Sequence, residues 1–552
     1  VLRSVLAPKK EVEFYDCLTQ LIERDFITPN AEAPESEYDF RHVIVSDAIY
    51  STLLRRDRAE LHGQVGEAIE RTFAERIDSQ VDLLARHYSW STRKDRALHY
   101  QILAGQKAAR GYLNTLARQY FQDAIELLAQ VTHTPHQVLQ AHEGLGDLLV
   151  HSGEYATARQ HYQAALDRLA GDADYVEECS ELERKISTAY ERQGEYEKAL
   201  SHLAQAEQIL QRCADGCPSE KAHIYNDLGW IHFHRGNAEE AERLLKQALG
   251  YAQESKREDI SASIYNRLGG VYYQSGQFEK AREVVQQSLQ VRQQIGDIVA
   301  VARSYNNLGL LDWRMGNWQE ALQHFQRSME LHATLGDVEG TISLHSNMGL
   351  LLTDMGLPIE ARQHLELGLS GATQIGHSYL QALSYHHLSR HYLAVREWTK
   401  SLEYSRQALE IFRELGVEEH LVDLYASLGE AWLGLGNLPE AKHNTQTALG
   451  LFPALLPGEE IHSPEYARVL RLEGRLAQAE GDAVAASEDF QRSANMFQEL
   501  GNPLERARTL ATQAESTDDL SISQAAQKEA RAVFQQFGAQ LDLKYLDALE
   551  IS

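Results

Sequence analysis

Apolar stripes at helical spacing run through the middle of the chain, and small residues interrupt them on a forty-residue beat. Gly229, Gly269, Gly309, Gly349 and Gly429 hold one register, with Ser389 in the remaining slot. Seven positions later stand Gly236, Gly276, Gly316, Gly356, Arg396 and Gly436. Five further come Ala241, Ala281, Ala321, Ala361, Ser401 and Ala441. Between them, bulky residues fall three and four apart. Tyr305, Leu308 and Leu311 precede the second glycine of one unit, and Trp318, Phe325 and Met329 follow it. That spacing predicts amphipathic helix, and the intervening glycine stops the first helix at little steric cost. Each unit therefore reads as two helices. The first small residue marks a crossing too close for a larger side chain. Helix pairs at one fixed period imply a stacked array rather than a single globular core.

The pattern resembles the tetratricopeptide repeat in a forty-residue form. The resemblance implies an all-α, right-handed superhelical solenoid with a concave groove. Earlier units keep the beat at Gly153, Tyr155, Ala158 and Ala165, and at Gly194, Tyr196, Ala199 and Ala206. A later one lies at Gly474, Gly481, Ala486 and Ser493. About eleven units are expected over residues 95–538. The expected division is a partial winged helix (1–75), degenerate repeats (76–130), the main solenoid (131–452), and C-terminal repeats with a capping helix (453–552). Residues 452–464 carry three prolines and stretch the spacing, which predicts a bend or seam there.

The first eighty residues follow another pattern. Residues 12–22 read as a helix, 26–28 and 38–40 as the strands of a hairpin, and 41–54 and 58–73 as further helices. Helix, hairpin and helix make the back half of a winged-helix domain. The phrase from Tyr38 to His42, then Asp47, Tyr50, Leu54 and the run Arg58 to His62, resembles a junction in bacterial signalling proteins. It follows the ATPase module of STAND-type regulators, some fused to nucleotide cyclases and some to LuxR-type DNA-binding domains. The resemblance implies that the repeats are a sensor arm controlling an attached ATPase. No phosphate-binding loop motif occurs in this sequence, and a chain opening on Val1 reads as a fragment of a longer protein.

Net charge of -27 argues against nucleic acid as a partner. The one basic cluster of the first segment, Arg55, Arg56 and Arg58, has Asp47, Asp57 and Glu60 as neighbours to pair with. No apolar run reaches the length of a membrane span, and no signal peptide is visible. Four cysteines in no paired pattern suit a reducing cytoplasm, with Cys213 and Cys217 read as two loop thiols. Of the 24 histidines, His387 and His391 share metal-ligand spacing, but no glutamate sits between them as zinc proteases require. No nucleophile elbow appears. No catalytic residue, metal or cofactor is expected.

Polar residues keep a register of their own. Asn226, Asn266 and Asn306 each follow a tyrosine, three residues before a repeat glycine; Ser346 and His386 continue the series. On the concave face, such amides could donate to and accept from the backbone of an extended peptide. Tyr273, Arg303, Trp313, Arg314 and Arg390 would favour acidic or aromatic side chains beside it. The alternative role is bracing between neighbouring helices. The expected function is noncatalytic: a groove that holds a peptide, a protein segment or the ATPase domain of its own protein. The second reading is a small-molecule sensor.

Overall fold

The computed structural model describes residues 5, 11–30, 37–111, 113–213, 216–418, 420–455, 463–517 and 519–551. The chain forms two compact units, Val1–Ile231 and His232–Ser552.

In the first unit, α1 (Glu11–Glu23) leads into an antiparallel hairpin of β1 (Ile27–Asn30) and β2 (Glu37–Phe40). Ile27 lies opposite Phe40. Then come α2 (Val43–Thr52), α3 (Arg55–Thr72), a 3-10 segment at Ala74–Gln80, and α4 (Val81–Ser89). α2 buries none of its side chains, and Val43 and Ile44 stand exposed. From α5 (Lys94–Arg110) onward the helices pair: with α6 (Asn114–Leu128), then α7 (Pro135–His151) with α8 (Tyr155–Leu169). α9 (Val176–Glu191) and α10 (Tyr196–Leu210) form the next pair, and α11 (Pro218–His234) follows. The first helices of neighbouring pairs are tied by ion pairs. Lys185 on α9 reaches Glu143 at 2.6 Å and Asp147 at 2.8 Å, both on α7. Arg184 reaches Glu220 on α11 at 3.0 Å.

The second unit continues the pairing. α12 (Ala238–Glu254) precedes the pairs α13 (Glu258–Gln274) with α14 (Phe278–Ile295), α15 (Ile298–Met315) with α16 (Trp318–Leu335), and α17 (Val338–Asp354) with α18 (Pro358–Gln374). Next are α19 (Ser378–Ala394) with α20 (Trp398–Leu415), α21 (Leu421–Gly434) with α22 (Leu438–Leu455), and α23 (Pro464–Glu480) with α24 (Ala483–Glu499). α25 (Pro503–Ser516) with α26 (Leu520–Phe537), and α27 (Gln540–Ile551), complete it. Most of the proline-rich segment that predicted a seam, residues 456–462, lies outside the described residues.

The forty-residue glycine has a specific partner sixteen residues downstream. A Cβ on Gly309 would stand 2.5 Å from the Phe325 ring, and one on Gly269 2.5 Å from Val285. Gly349 faces Leu365 and Gly474 faces Phe490 in the same way. The absent side chain is the space the second helix fills. Ser389 replaces the glycine in one unit, and its partner sixteen residues on is Ser405. The large side chain is gone, and the two hydroxyls meet at 2.5 Å. Volume is conserved across the crossing, as close packing demands. A second small position acts as a latch. Buried Ser288, Ser328 and Ser493 each donate to a carbonyl 26 residues earlier, on Ala262, Ala302 and Ala467, at 2.7 Å.

The turn between the paired helices requires a positive φ, which glycine adopts without a Cβ clash. Gly316 has φ 84°, and Arg396, at the equivalent turn, is forced to 61°.

The end of the chain folds back onto this row of turns. Leu500 and Gly501 pack beside the turn at Gly276, Phe537 against Gly316, Gln540 and Leu541 against Gly356, and Tyr545 over Arg396. Phe537 meets Trp318 edge to face, and Phe534, Ala530 and Leu546 share one buried cluster with Phe325, Leu344 and Leu351. The second unit is thus closed across its own inner side.

One local expectation is corrected. Cys213 and Cys217 are not free loop thiols: their Cα atoms lie 6.1 Å apart, and they form a disulfide. That separation lies within the range a disulfide spans. The cysteine pattern therefore no longer argues for a reducing compartment. Cys17 and Cys179 are free. Among the described residues no helix is long and apolar enough to cross a membrane.

Candidate functional site

Closure of the second unit leaves a cavity of about 220 Å³ on its inner side. The first helix of every pair from α15 to α25 contributes, and α27 completes the wall. Trp313 comes from α15, Thr353 and Asp354 from α17, Arg390 from α19, Glu430 from α21, Arg468, Arg471 and Arg475 from α23, Glu505 and Arg508 from α25, and Asp542 and Tyr545 from α27. Arg396 lies at the turn after α19, beside Trp398 at the start of α20.

Arginine dominates this wall, and most of it is neutralised. Arg508 bridges three carboxylates: Asp354 at 2.8 Å, Glu505 at 2.8 Å and Asp542 at 2.9 Å. Arg471 takes Glu505 at 2.8 Å, Arg475 takes Glu430 at 3.0 Å, and Arg468 takes Asp423 of α21 at 2.6 Å. Trp313 Nε1 donates to the other oxygen of Asp354 at 2.9 Å. Burial alone would raise the pKa of Glu505, but Arg471 and Arg508 overcome it and hold the carboxyl well below its ordinary range. Among the described residues Arg396 has no carboxylate partner, and it stacks 4.5 Å over the Tyr545 ring.

Arg390 is different. Among the described residues it has neither ion pair nor hydrogen bond. Burial, aided by Arg468, pushes its pKa down from the ordinary arginine value, while Asp423, Glu505 and Asp354 oppose the shift. It is partly exposed and lines the cavity.

The residues expected from sequence are dispersed. Trp313 and Arg390 reach the cavity. Arg314 lies 5.8 Å over the Tyr273 ring, away from it. Arg303 is exposed, while Asn226, Ser346 and His386 are buried. Asn266 and Asn306 tie one unit to the next: Asn307 Nδ2 donates to Asn266 Oδ1 at 2.7 Å, and Asn347 Nδ2 to Asn306 Oδ1 at 2.9 Å. These bonds match the bracing alternative and use the amide oxygen of each. The histidines of α19 diverge. Burial pushes His386 down to about 3, against the pull of Asp423, and holds His387 well below its ordinary value. His391 bonds Thr353 Oγ1 at 2.8 Å, and burial pushes it down to about 4.

Sequence reading missed Arg468, Arg471, Arg475 and Arg508. The first three were visible as a stripe, since spacings of three and four place them on one face of α23. Nothing local marked that face as the inner wall.

A stack of helix pairs of this kind is a helical-repeat protein. Tetratricopeptide repeat models match residues 114–173, 178–254, 260–334 and 340–414, together just over half of the chain. The chain belongs to the tetratricopeptide repeat family. It is 26% identical over 174 residues to an uncharacterized protein of Rhizobium meliloti (strain 1021), spanning 30% of this chain and 17% of that one. Among solved structures it is similar to a signal transduction ATPase with numerous domains from Pyrococcus horikoshii, which carries a tetratricopeptide repeat sensor. The identity is 18% and the TM-score 0.40, covering 68% of this chain and 52% of that one. It is also similar to a Rap protein complexed with competence and sporulation factor. There the identity is 14% and the TM-score 0.47, covering 74% and 99%. The chain thus spans about half the length of the ATPase and a smaller share of the rhizobial relative.

Proposed function

We propose that this chain is the noncatalytic sensor and interaction region of a signalling protein. It receives a peptide or protein segment on the first helices of its second unit. The observation that carries the reading is Arg390, a cation with no ion pair or hydrogen bond among the described residues, on the wall of a cavity shared by eight helices. The lining supports binding over catalysis. It contains no histidine, cysteine or serine, and each of its carboxylates is held by arginine. Glu505, held well below its ordinary range by Arg471 and Arg508, makes a poor proton donor.

The first seventy-five residues, on this reading, are the end of a winged helix joined to an ATPase or other effector. The exposed apolar face of α2 suits such a neighbour. Binding in the second unit would change the effector only by favouring one of two states.

The test is site-specific photo-crosslinking. A benzoylphenylalanine at Arg396, beside the cavity, should give adducts with a protein segment in the native host, mapped by mass spectrometry. The same group at exposed Arg327 on α16 is the control. Equal labelling at both positions would remove the reading.

A further inference from the structure

The cavity wall carries six arginines, and four of them are held by five carboxylates. Of the remaining two, Arg396 is exposed and stacked on Tyr545. Arg390 alone is partly buried and has neither an ion pair nor a hydrogen bond among the described residues. Arginine stays charged under any ordinary condition, and an enclosed charge without a partner costs stability. The nearby carboxylates Asp354, Glu505 and Asp423 are already engaged by Arg508, Arg471 and Arg468. In the first unit the corresponding inner cations, Arg184 and Lys185, are matched by acids on adjacent helices.

The space available limits what can restore the balance. A cavity of about 220 Å³ falls below the roughly 300–1,000 Å³ of sites that enclose drug-sized molecules. It has room for an anionic group and the few atoms that bear it. Trp313 and Trp398 supply aromatic surface on the wall.

We propose that the cavity is an oxyanion site in which the Arg390 guanidinium grips a carboxylate through paired N–H donors. Resting on the segment-binding reading above, that carboxylate belongs to an acidic side chain or the C-terminus of the incoming segment. The neighbouring ion pairs hold the other arginines in place and keep the anion from drawing them out of register.

Titration of the full chain with sodium glutarate, inorganic phosphate and neutral glutaramide at low ionic strength tests this. Calorimetry and thermal melting are the readouts. Saturable glutarate binding that raises the melting temperature is expected, with no response to glutaramide. Arg390→Met should weaken that binding at least tenfold, and the unliganded variant should melt at or above the parent temperature. Arg390→Lys should recover part of the affinity. Saturable phosphate binding in preference to glutarate, lost in Arg390→Met, would keep the oxyanion site and overturn the carboxylate assignment. Absence of saturable binding by either anion overturns the proposal, as does unchanged affinity in Arg390→Met. So does a variant that melts well below the parent, because Arg390 would then be a structural residue. An Arg390-dependent anion site without segment adducts at Arg396 would retire the segment reading and leave the site. Adducts with unchanged anion affinity would do the reverse.

Discussion

Arg508 Nη2 donates to Asp354 Oδ1 at 2.8 Å, across 154 residues of chain. The pair joins α25 to α17 over the inner side of the second unit, and Arg508 also holds Asp542 and Glu505. Removing one partner of a buried ion pair leaves charges stranded, at a typical cost of about 3–5 kcal/mol. Arg508→Met should therefore lower the urea midpoint of the chain strongly and increase protease access at α25 to α27. A melt within error of the parent would mean that closure rests on the apolar contacts of Phe537 and Phe534 alone.

The serine pair at the irregular unit gives a double-mutant test. Ser405→Phe alone places a ring against the Ser389 side chain and should destabilise by about 1–3 kcal/mol, the usual cost of overpacking. Adding Ser389→Gly recreates the crossing seen at Gly309 and Phe325 and should recover most of the loss. Additive effects in chemical denaturation would contradict the volume exchange described here.

Gly309→Leu tests the regular crossing. Its Cβ alone would stand 2.5 Å from Phe325, so the helices must separate or the ring must leave its rotamer. A loss of about 2–4 kcal/mol is expected, read as a lower and broader thermal transition.

Acid should weaken the second unit before its carboxylates titrate. His386 and His391 are held neutral in the fold at about 3 and about 4, whereas an exposed histidine titrates near pH 6.5. Below about 6.5 the unfolded chain takes up protons that the fold refuses. The stability present above that pH is lost as it falls toward about 4. Between pH 6.5 and 5 the loss is about 2 kcal/mol for each such ring. His391→Gln should flatten the melting temperature across that interval. An identical slope in the variant would show that His391 does not drive it.

The inter-repeat asparagines predict a smaller effect. Asn306→Ala leaves Asn347 Nδ2 without its acceptor and should cost about 1 kcal/mol. If Asn306 also meets the ligand, as its register suggests, the same change should reduce labelling from Arg396 beyond what the stability loss accounts for. Unchanged labelling confines Asn306 to bracing.

The sequence by itself determined the repeating unit. Helix spacing, the stop at each turn and the tight crossing are encoded within forty residues. Gly309 and Phe325 are sixteen apart, so local pattern was enough to place both. It also carried Trp313 and Arg390 onto first helices. Only the tertiary structure decided which of those helices share a cavity, because that depends on how small angles between units accumulate until α25 meets α17. Whether an arginine is free depends on the same accumulation. Arg508 and Arg390 look alike in sequence, yet one is matched by Asp354, contributed from 154 residues away, and the other by nothing described. The disulfide followed the same logic on a smaller scale: a four-residue spacing permits it, and the approach of the two Cα atoms to 6.1 Å decided it.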